Sequence, residues 1–448
     1  MKKYTKDQLI FQPVNSKSVQ ATFDGGMVTS DAGVLFIREI DRQLGLTDAL
    51  AEAIYDRRDH RYTKHLIQTM ISQRTYQIVC GYEDADDSDT LRFDPALKMA
   101  VDHLPLEGDD LASQPTISRL ENSVTRSDLY RMSEVFVEQF INSYEEPPEV
   151  IVLDFDHTDD ETHGKQQLTL FNGYYDEYCY LPLHVYEGLS GKLITTILRP
   201  GKTPSGKENM AIAKRIVRRI REAWPLTIII FRADNHFAQP QLLDWLEDNR
   251  IIYVVGLRLN PVLQRLAKPL VSEAHRVLNL SPKTTIKLFD SLLYQAGSWR
   301  TKRRVVLKAE VNELGESARC VVTNLQTSSD EDVYVRIYCR HGEMENFIKD
   351  HKVHLKSDRT SCTSFLANQF RLFIHSAAYV LLHAMRQNLL RGSELARAQF
   401  DTIRLKLLKV GARVRELKTI IRIHLPTSFP LKSLMLRMNG ILQMLPAP

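Results

Sequence analysis

From about residue 30 to residue 143 apolar side chains recur every three or four positions, as in TKHLIQTMISQRTYQIV and LYRMSEVFVEQFINSY. That period predicts a mostly α-helical first third. Inside it, LASQPTISRLENSV (111–124) joins a proline to a short helix carrying Ser113, Thr116, Ser118, Arg119 and Asn122. Small hydrogen-bonding residues there suit either a recognition helix meeting phosphates and base edges or an ordinary capped surface helix. EEPPEV (145–150) breaks the pattern. Beyond it VIVLDFD, QLTLF, YCYLPLHVYEG and LITTILRPG read as successive strands, followed by a basic helix over about 207–223. LTIIIFRAD then predicts a buried strand ending in an acid, QPQLLDWLEDN a helix and RIIYVVGLRL another strand, so the expected fold class is α/β with a mixed sheet.

The rhythm changes again over 258–330, where SLLYQAGSWRTKRRVVLKAEV and ARCVVTNL, with turns at NELGES and QTSSD, predict antiparallel strands of a β-rich insertion. A helix over 338–352 and a long apolar helix over 364–390 follow, and then a basic tail. The expected organisation is a helical region 1–145, a core in two parts, 146–257 and 331–395, split by the insertion 258–330, and a basic C-terminal region 396–448.

Composition adds little to this picture. The 448 residues are 43% hydrophobic and 25% charged, with a formal net charge of +4. That charge is too mild to imply nucleic acid by itself, so electrostatic arguments rest on AKRIVRRIR (213–221), RTKRRVVLK (300–308) and RLKLLKVGARVRELKTIIR (404–422). Five cysteines without a CxxC pair suit a reducing, cytoplasmic compartment rather than a disulfide framework. The N-terminal MKKYTKDQLIFQPVNSK has no signal-like apolar run, and no stretch of about 18 uncharged apolar residues predicts a membrane span.

Candidate chemistry gathers at strand ends. VLDFDHT offers Asp154 and Asp156, which period-2 alternation puts on one strand face, and FRADNHF offers Asp234. YCRHGEMENFIKDHK (338–352) places Tyr338, His341, Glu345, Lys349 and Lys352 along one side of a helix. A salt-bridged solvated face would look the same. With Glu345 as third acid, three carboxylates could hold two magnesium ions, which at about 3.5–4 Å apart activate an attacking oxygen and stabilise a leaving one. Asp154-x-Asp156-x-Thr158 also resembles the nucleophile loop of haloacid-dehalogenase phosphatases, a rival in which Asp154 attacks phosphorus. GKTPSGKE (201–208) nearly spells a phosphate-binding loop, but Glu208 stands where a hydroxyl belongs, which predicts a turn before the basic helix. His341, His351 and His354 with Cys339 match no common zinc spacing.

Taken in order, DHT (156–158), RADNHFA (232–238) and Y-x2-H-x3-E-x6-K (338–352) resemble the DDE transposases of bacterial insertion sequences, in particular the thirteen-eighty insertion-sequence family. FDGGMVTSDAGVLFIREID, LASQPTISRLEN, the block from LDFDHT to VYEG, GSWRTKRRVVLK and LLKVGARV extend the likeness over nearly the whole chain. The resemblance implies an RNase-H-like core interrupted by the insertion, with DNA-binding helices in front. It implies Mg²⁺, or Mn²⁺ in its place, held by Asp156, Asp234 and Glu345. The implied reaction is cleavage at terminal inverted repeats and transfer of 3′ hydroxyls to target DNA by a homodimer on double-stranded DNA. A catalytically inactive, transposase-derived DNA-binding protein is the alternative. Tyr338 and Lys352 match the signature residues that contact the DNA end, and Lys349 shares their face. His341 stands where the signature has arginine, with Arg340 one place earlier, and Trp299 in the insertion is the implied base-stacking aromatic.

Overall fold

The computed structural model describes residues 8–444. Residues 1–7, the start of the stretch read as lacking a signal-like run, and residues 445–448 of the basic tail lie outside that range. The chain divides into two compact units, one built from 1–124, 354–359 and 377–448, the other from 125–353 and 360–376.

The second unit carries an eight-stranded sheet. Its strands in chain order are β1 (Val150–His157), β2 (Leu183–Glu187), β3 (Leu193–Ile197), β4 (Ile228–Ala233), β5 (Ile252–Leu257), β6 (Thr285–Tyr294), β7 (Arg303–Asn312) and β8 (Gly315–Thr323). The spatial order is β6-β7-β8-β5-β4-β1-β2-β3. β1, β2 and β3 form an antiparallel meander, whereas β4 runs parallel to both β1 and β5. Parallel neighbours need crossovers, which α2 (Gly206–Ala223) and α3 (Pro240–Asp248) supply. α1 (Arg126–Asn142) precedes the sheet, closed at its start by a reciprocal capping box between Thr125 and Asp128.

The inward faces of these strands and helices make one core, centred on Phe155, Phe231 and Phe237, all with no exposed surface. Phe155 lies 4.8 Å from Phe231 and 6.1 Å from Phe237 between ring centroids. Ser205 caps α2, and Glu208 completes a capping box with it. The residue that spoils the phosphate-loop motif therefore has a structural task.

The insertion holds more than the strands expected of it. It begins with a 20-residue helix, α4 (Pro261–Leu280), where only strands were expected. Its strands also continue the central sheet, because β8 pairs antiparallel with β5. Ala274 of α4 packs against Ile286, Ala309 and Val311 of the β6–β7 ribbon. The cations of RTKRRVVLK are largely neutralised: Arg300 pairs with Asp248, Arg303 with Asp244 and Glu247, Arg304 with Asp330 and Lys308 with Glu310. That cluster is a paired surface rather than a free positive one.

The first unit is mostly helical, with Val34–Leu44, Leu46–Glu52, Ile67–Val79, Pro95–Ala100 and Gln114–Ser123 around buried Ile37, Leu50 and Ile71. The C-terminal part belongs to the same unit. Its strand Ala412–Glu416 pairs with Val28–Thr29 and with Ile421–His424. Gly33 is required at that junction, since a Cβ there would collide with the Leu407 carbonyl. No helix among the described residues is long and apolar enough to cross a membrane.

Phe231→Ala is expected to destabilise the second unit by about 3–5 kcal/mol, since the cavity would open between two rings that cannot close it. Urea denaturation followed by tryptophan fluorescence measures the loss.

Candidate active site

β1 and β4 are adjacent and parallel, so the acids at their carboxyl ends fall side by side. Asp156 lies within the last residues of β1 and Asp234 directly follows β4. Each feels the charge of its neighbours. The Asp156 carboxyl is pushed up to about 7, chiefly by burial; His341 pulls it down and Asp234 adds to the rise. Burial acts the same way on Asp234, but a hydrogen bond from the His236 ring, together with the charges of His236 and His157, outweighs it and holds Asp234 below its ordinary range. Asp234 also caps the short turn after β4 by accepting from the His236 backbone N–H at 2.9 Å, while His236 Nδ1 lies 2.6 Å from Asp234 Oδ2. Two carboxyls in one place are thus driven apart in acidity.

Asp154, on the same face of β1, has a different fate. It is fully buried, and Arg232 on β4 holds it bidentately, with Nε 2.5 Å from Oδ1 and Nη2 on Oδ2. His341 Nδ1 approaches Oδ1 at 3.4 Å. A carboxylate bound on both oxygens cannot also attack phosphorus, which removes the phosphatase role proposed for it. Asp156 accepts only the His157 N–H, at 2.8 Å, among the described residues.

Arg232 reaches further. Its Nη1 donates to the Ile337 carbonyl at 2.8 Å, so one guanidinium joins β4, β1 and the helical run that follows the insertion. The run 332–354 is helical throughout but changes winding: a π turn Asp332–Tyr338, a 3₁₀ turn Cys339–His341, α5 (Gly342–Lys349) and a second π turn Asp350–His354. Gly188 makes room for the clamp, because a Cβ there would collide with Asp154 Oδ2 and Arg232 Nη2. Gly256 does the same for Tyr338, whose hydroxyl would lie 2.6 Å from an added Cβ, beside the Asp234–Asn235 backbone.

The family described as Transposase DDE domain group 1 matches residues 11–447. The chain belongs to this family of DDE transposases. Among solved structures it is similar to a piggyBac transposase in a synaptic complex with hairpin DNA, at 13% identity and a TM-score of 0.43, over 85% of this chain and 80% of that one. No curated protein matches it.

In this DDE transposase the signature residues separate. Tyr338 and His341 stand beside the acid pair, Tyr338 pushed up to about 12 by burial and by Asp234. Burial opposes protonation of His341, but Asp154 and Asp156 outweigh it and raise its pKa. Lys352 is tied to the loop after β1, its Nζ 2.7 Å from the Asp159 carbonyl and 2.9 Å from Oδ2. Glu345 and Lys349 are exposed on α5. Arg340 is exposed too, 3.8 Å from Glu343, and the buried guanidinium beside the acid pair is that of Arg232. Trp299, expected to stack on a base, is only 6% exposed and packed between Tyr294 and Arg303 in the core. In the other unit Ser113 precedes the helix Gln114–Ser123, its hydroxyl 3.3 Å from that of Thr116, with Ser118 half-buried and Arg119 exposed.

DDE transposases as a family cut DNA with divalent metal ions, and the residues here fit such an ion in part. Asp156 and Asp234 supply hard oxygen donors, and a cation would relieve the desolvation of Asp156. The buried Nε2 of His341 and Nδ1 of His157 have no hydrogen-bond partner among the described residues. Among the described residues of the metal-free chain no three His, Cys, Asp or Glu side chains are arranged to hold a metal. Sequence reasoning passed over Arg232 and His236, although a lone arginine inside IIIFRAD already signals a buried ion pair.

The raised Asp156 carries a sign. Between its ordinary value of 3.8 and about 7 the folded chain keeps a proton that the unfolded chain releases, so this group's contribution falls as pH rises through that window. Asp156→Asn is therefore expected to stabilise the metal-free transposase at pH 8 by roughly 1–4 kcal/mol and to leave it little changed at pH 4. Thermal melts in EDTA across that range measure it.

Proposed function

We propose that this chain binds the terminal inverted repeats of a bacterial insertion sequence of the thirteen-eighty kind, cleaves the element ends and transfers the 3′ hydroxyls to target DNA. The observation that carries this reading is the acid pair: Asp156 and Asp234 at the carboxyl ends of adjacent parallel strands, one carboxyl raised and the other lowered. An antiparallel meander β1–β3 extended past β1 by parallel β4 and β5 supports an RNase-H-like core. Asp156 and Asp234 would hold Mg²⁺ or Mn²⁺, with Glu345 as the third acid by its place in the signature. When bound, such ions activate the attacking oxygen and stabilise the leaving oxygen of a phosphodiester.

The chain's own residues have separable tasks in this reading. His236 orients Asp234 and keeps it ionised, which makes it the ready acceptor of positive charge. Arg232 removes Asp154 from the chemistry and anchors the run that carries Glu345. Lys352 would exchange its contact with Asp159 for a phosphate oxygen of the DNA end, since both are anionic acceptors. Two element ends must be held together, so a homodimer on double-stranded DNA is the assembly that fits.

A second reading, a transposase-derived protein that binds DNA without cutting it, is favoured by the exposure of Glu345 and by an imidazole at the signature arginine position. One experiment separates the two. Purified protein incubated with Mg²⁺ or Mn²⁺ and a DNA carrying the repeats that flank its coding region is expected to nick at the element boundary. Asp156→Ala, Asp234→Ala and Glu345→Ala are each expected to lower the rate by at least about 10³-fold while leaving repeat binding intact. Binding without nicks by the unaltered chain would establish the second reading, and full activity in Glu345→Ala would remove Glu345 from the site.

A further inference from the structure

Between β1 and β2 the chain folds into a small flap of three strands, Asp160–Glu161, Leu170–Asn172 and Glu177–Tyr180, ordered with the last in the middle. Its turn, NGYYDE, is built rather than loose. Asn172 is buried; its Oδ1 accepts from the Tyr174 N–H at 3.0 Å and its Nδ2 donates to the Gly201 carbonyl at 2.7 Å. Gly201 has no room for a side chain, because a Cβ would collide with the Cys179 carbonyl. The Asp176 N–H closes the turn on the Asn172 carbonyl at 2.8 Å, with Asp176 in the left-handed region at φ 58°.

This turn places aromatic rings at the acid pair. Tyr174 meets the His236 ring edge-on at 6.2 Å, and His236 is the residue bonded to Asp234. Tyr175 lies 4.9 Å from Tyr174, and the charges of Asp159, Asp156 and Asp234, added to its burial, raise its pKa. Tyr175 is half-buried, but Tyr174 is 77% exposed. Tyr174 therefore keeps most of its ring in water while its edge meets the imidazole bonded to Asp234. The flap also carries Glu161, Asp176 and Glu177, so its charge repels phosphates rather than attracting them. What it offers a nucleic acid is a ring face, and base–aromatic stacking tolerates any sequence because every base has a π-face.

We infer that Tyr174 is a stacking platform for an unpaired nucleobase of the DNA strand next to the scissile phosphate, held over the acid pair by the Asn172 turn. The inference rests on the DNA-processing reading above and assigns a contact within it. It also gives the stacking role to an exposed ring, whereas Trp299 would have to leave the core to fill it.

The test uses the full chain in EDTA at low salt, with a forked DNA duplex bearing 2-aminopurine at the first unpaired nucleotide and a fully paired duplex of the same sequence as reference. Binding of the unaltered protein to the fork is expected to quench the 2-aminopurine. Tyr174→Phe, which keeps the ring, retains the quench; Tyr174→Ala loses it and weakens fork binding about tenfold while duplex binding stays the same. Quenching by Tyr174→Ala equal to that of the unaltered chain, or equal weakening on fork and duplex, overturns the inference and leaves the DNA-processing reading standing. Failure of the unaltered chain to bind either DNA overturns both.

Discussion

The pair formed by Arg232 and Asp154 is the constraint around which the catalytic unit is arranged. Neither side chain reaches water, and a guanidinium and a carboxylate taken into a sheet interior survive only with both forks filled. That requirement fixes the register between β1 and β4, which in turn sets Asp156 next to Asp234. Its third nitrogen, Nη1, donates to the Ile337 carbonyl, drawing the helical run after the insertion onto the same spot. Three segments remote in sequence meet because one buried cation needs acceptors from all of them.

With Asp154 neutralised, the neighbouring carboxyls are free to differ. Asp156 has little more than a backbone N–H for company and its pKa is raised; Asp234, at the end of the adjacent strand, has an imidazole bonded to it and its pKa is lowered. Burial raises both, and the contrast arises because the hydrogen bond and charge of His236 outweigh it at Asp234 alone. His157 sits 4.9 Å from His236, and burial pushes its own pKa down to about 4.

Much of this architecture is legible in the residues themselves, and what is not has a physical reason. The helices of the first third and the strands around VIVLDFD and IIIFRAD follow from local periodicity, which is a property of neighbouring side chains. α4 escaped because Pro269 interrupts its pattern and only a narrow stripe, Leu263, Ala267 and Ala274, is buried. The continuation of the central sheet through β8 escaped because pairing between Leu257 and Cys320 joins residues far apart along the chain. At the site, the two aspartates could be picked out from their place at strand ends. The orientation of Glu345 could not, since the run that bears it winds partly as π turns and a helical wheel assumes uniform pitch. Arg232 and the Tyr174 turn depended on partners from other segments, Asp154 and Gly201, that no single stretch reveals.

The merging of the insertion with the central sheet sets the terms on which it could vary during descent. Its outermost strand, Thr285–Tyr294, is bonded on one side only, so whole ribbons could be added or trimmed at that margin without touching the acids. Wholesale excision is a different matter. Removing Gly315–Thr323 would strip the main-chain partners from Val254–Leu257 and turn the strand next but one to Asp156 into a bare, apolar margin open to adhesion between molecules. Lineages of this chain can therefore be expected to differ in the reach of the arm and to agree in its root.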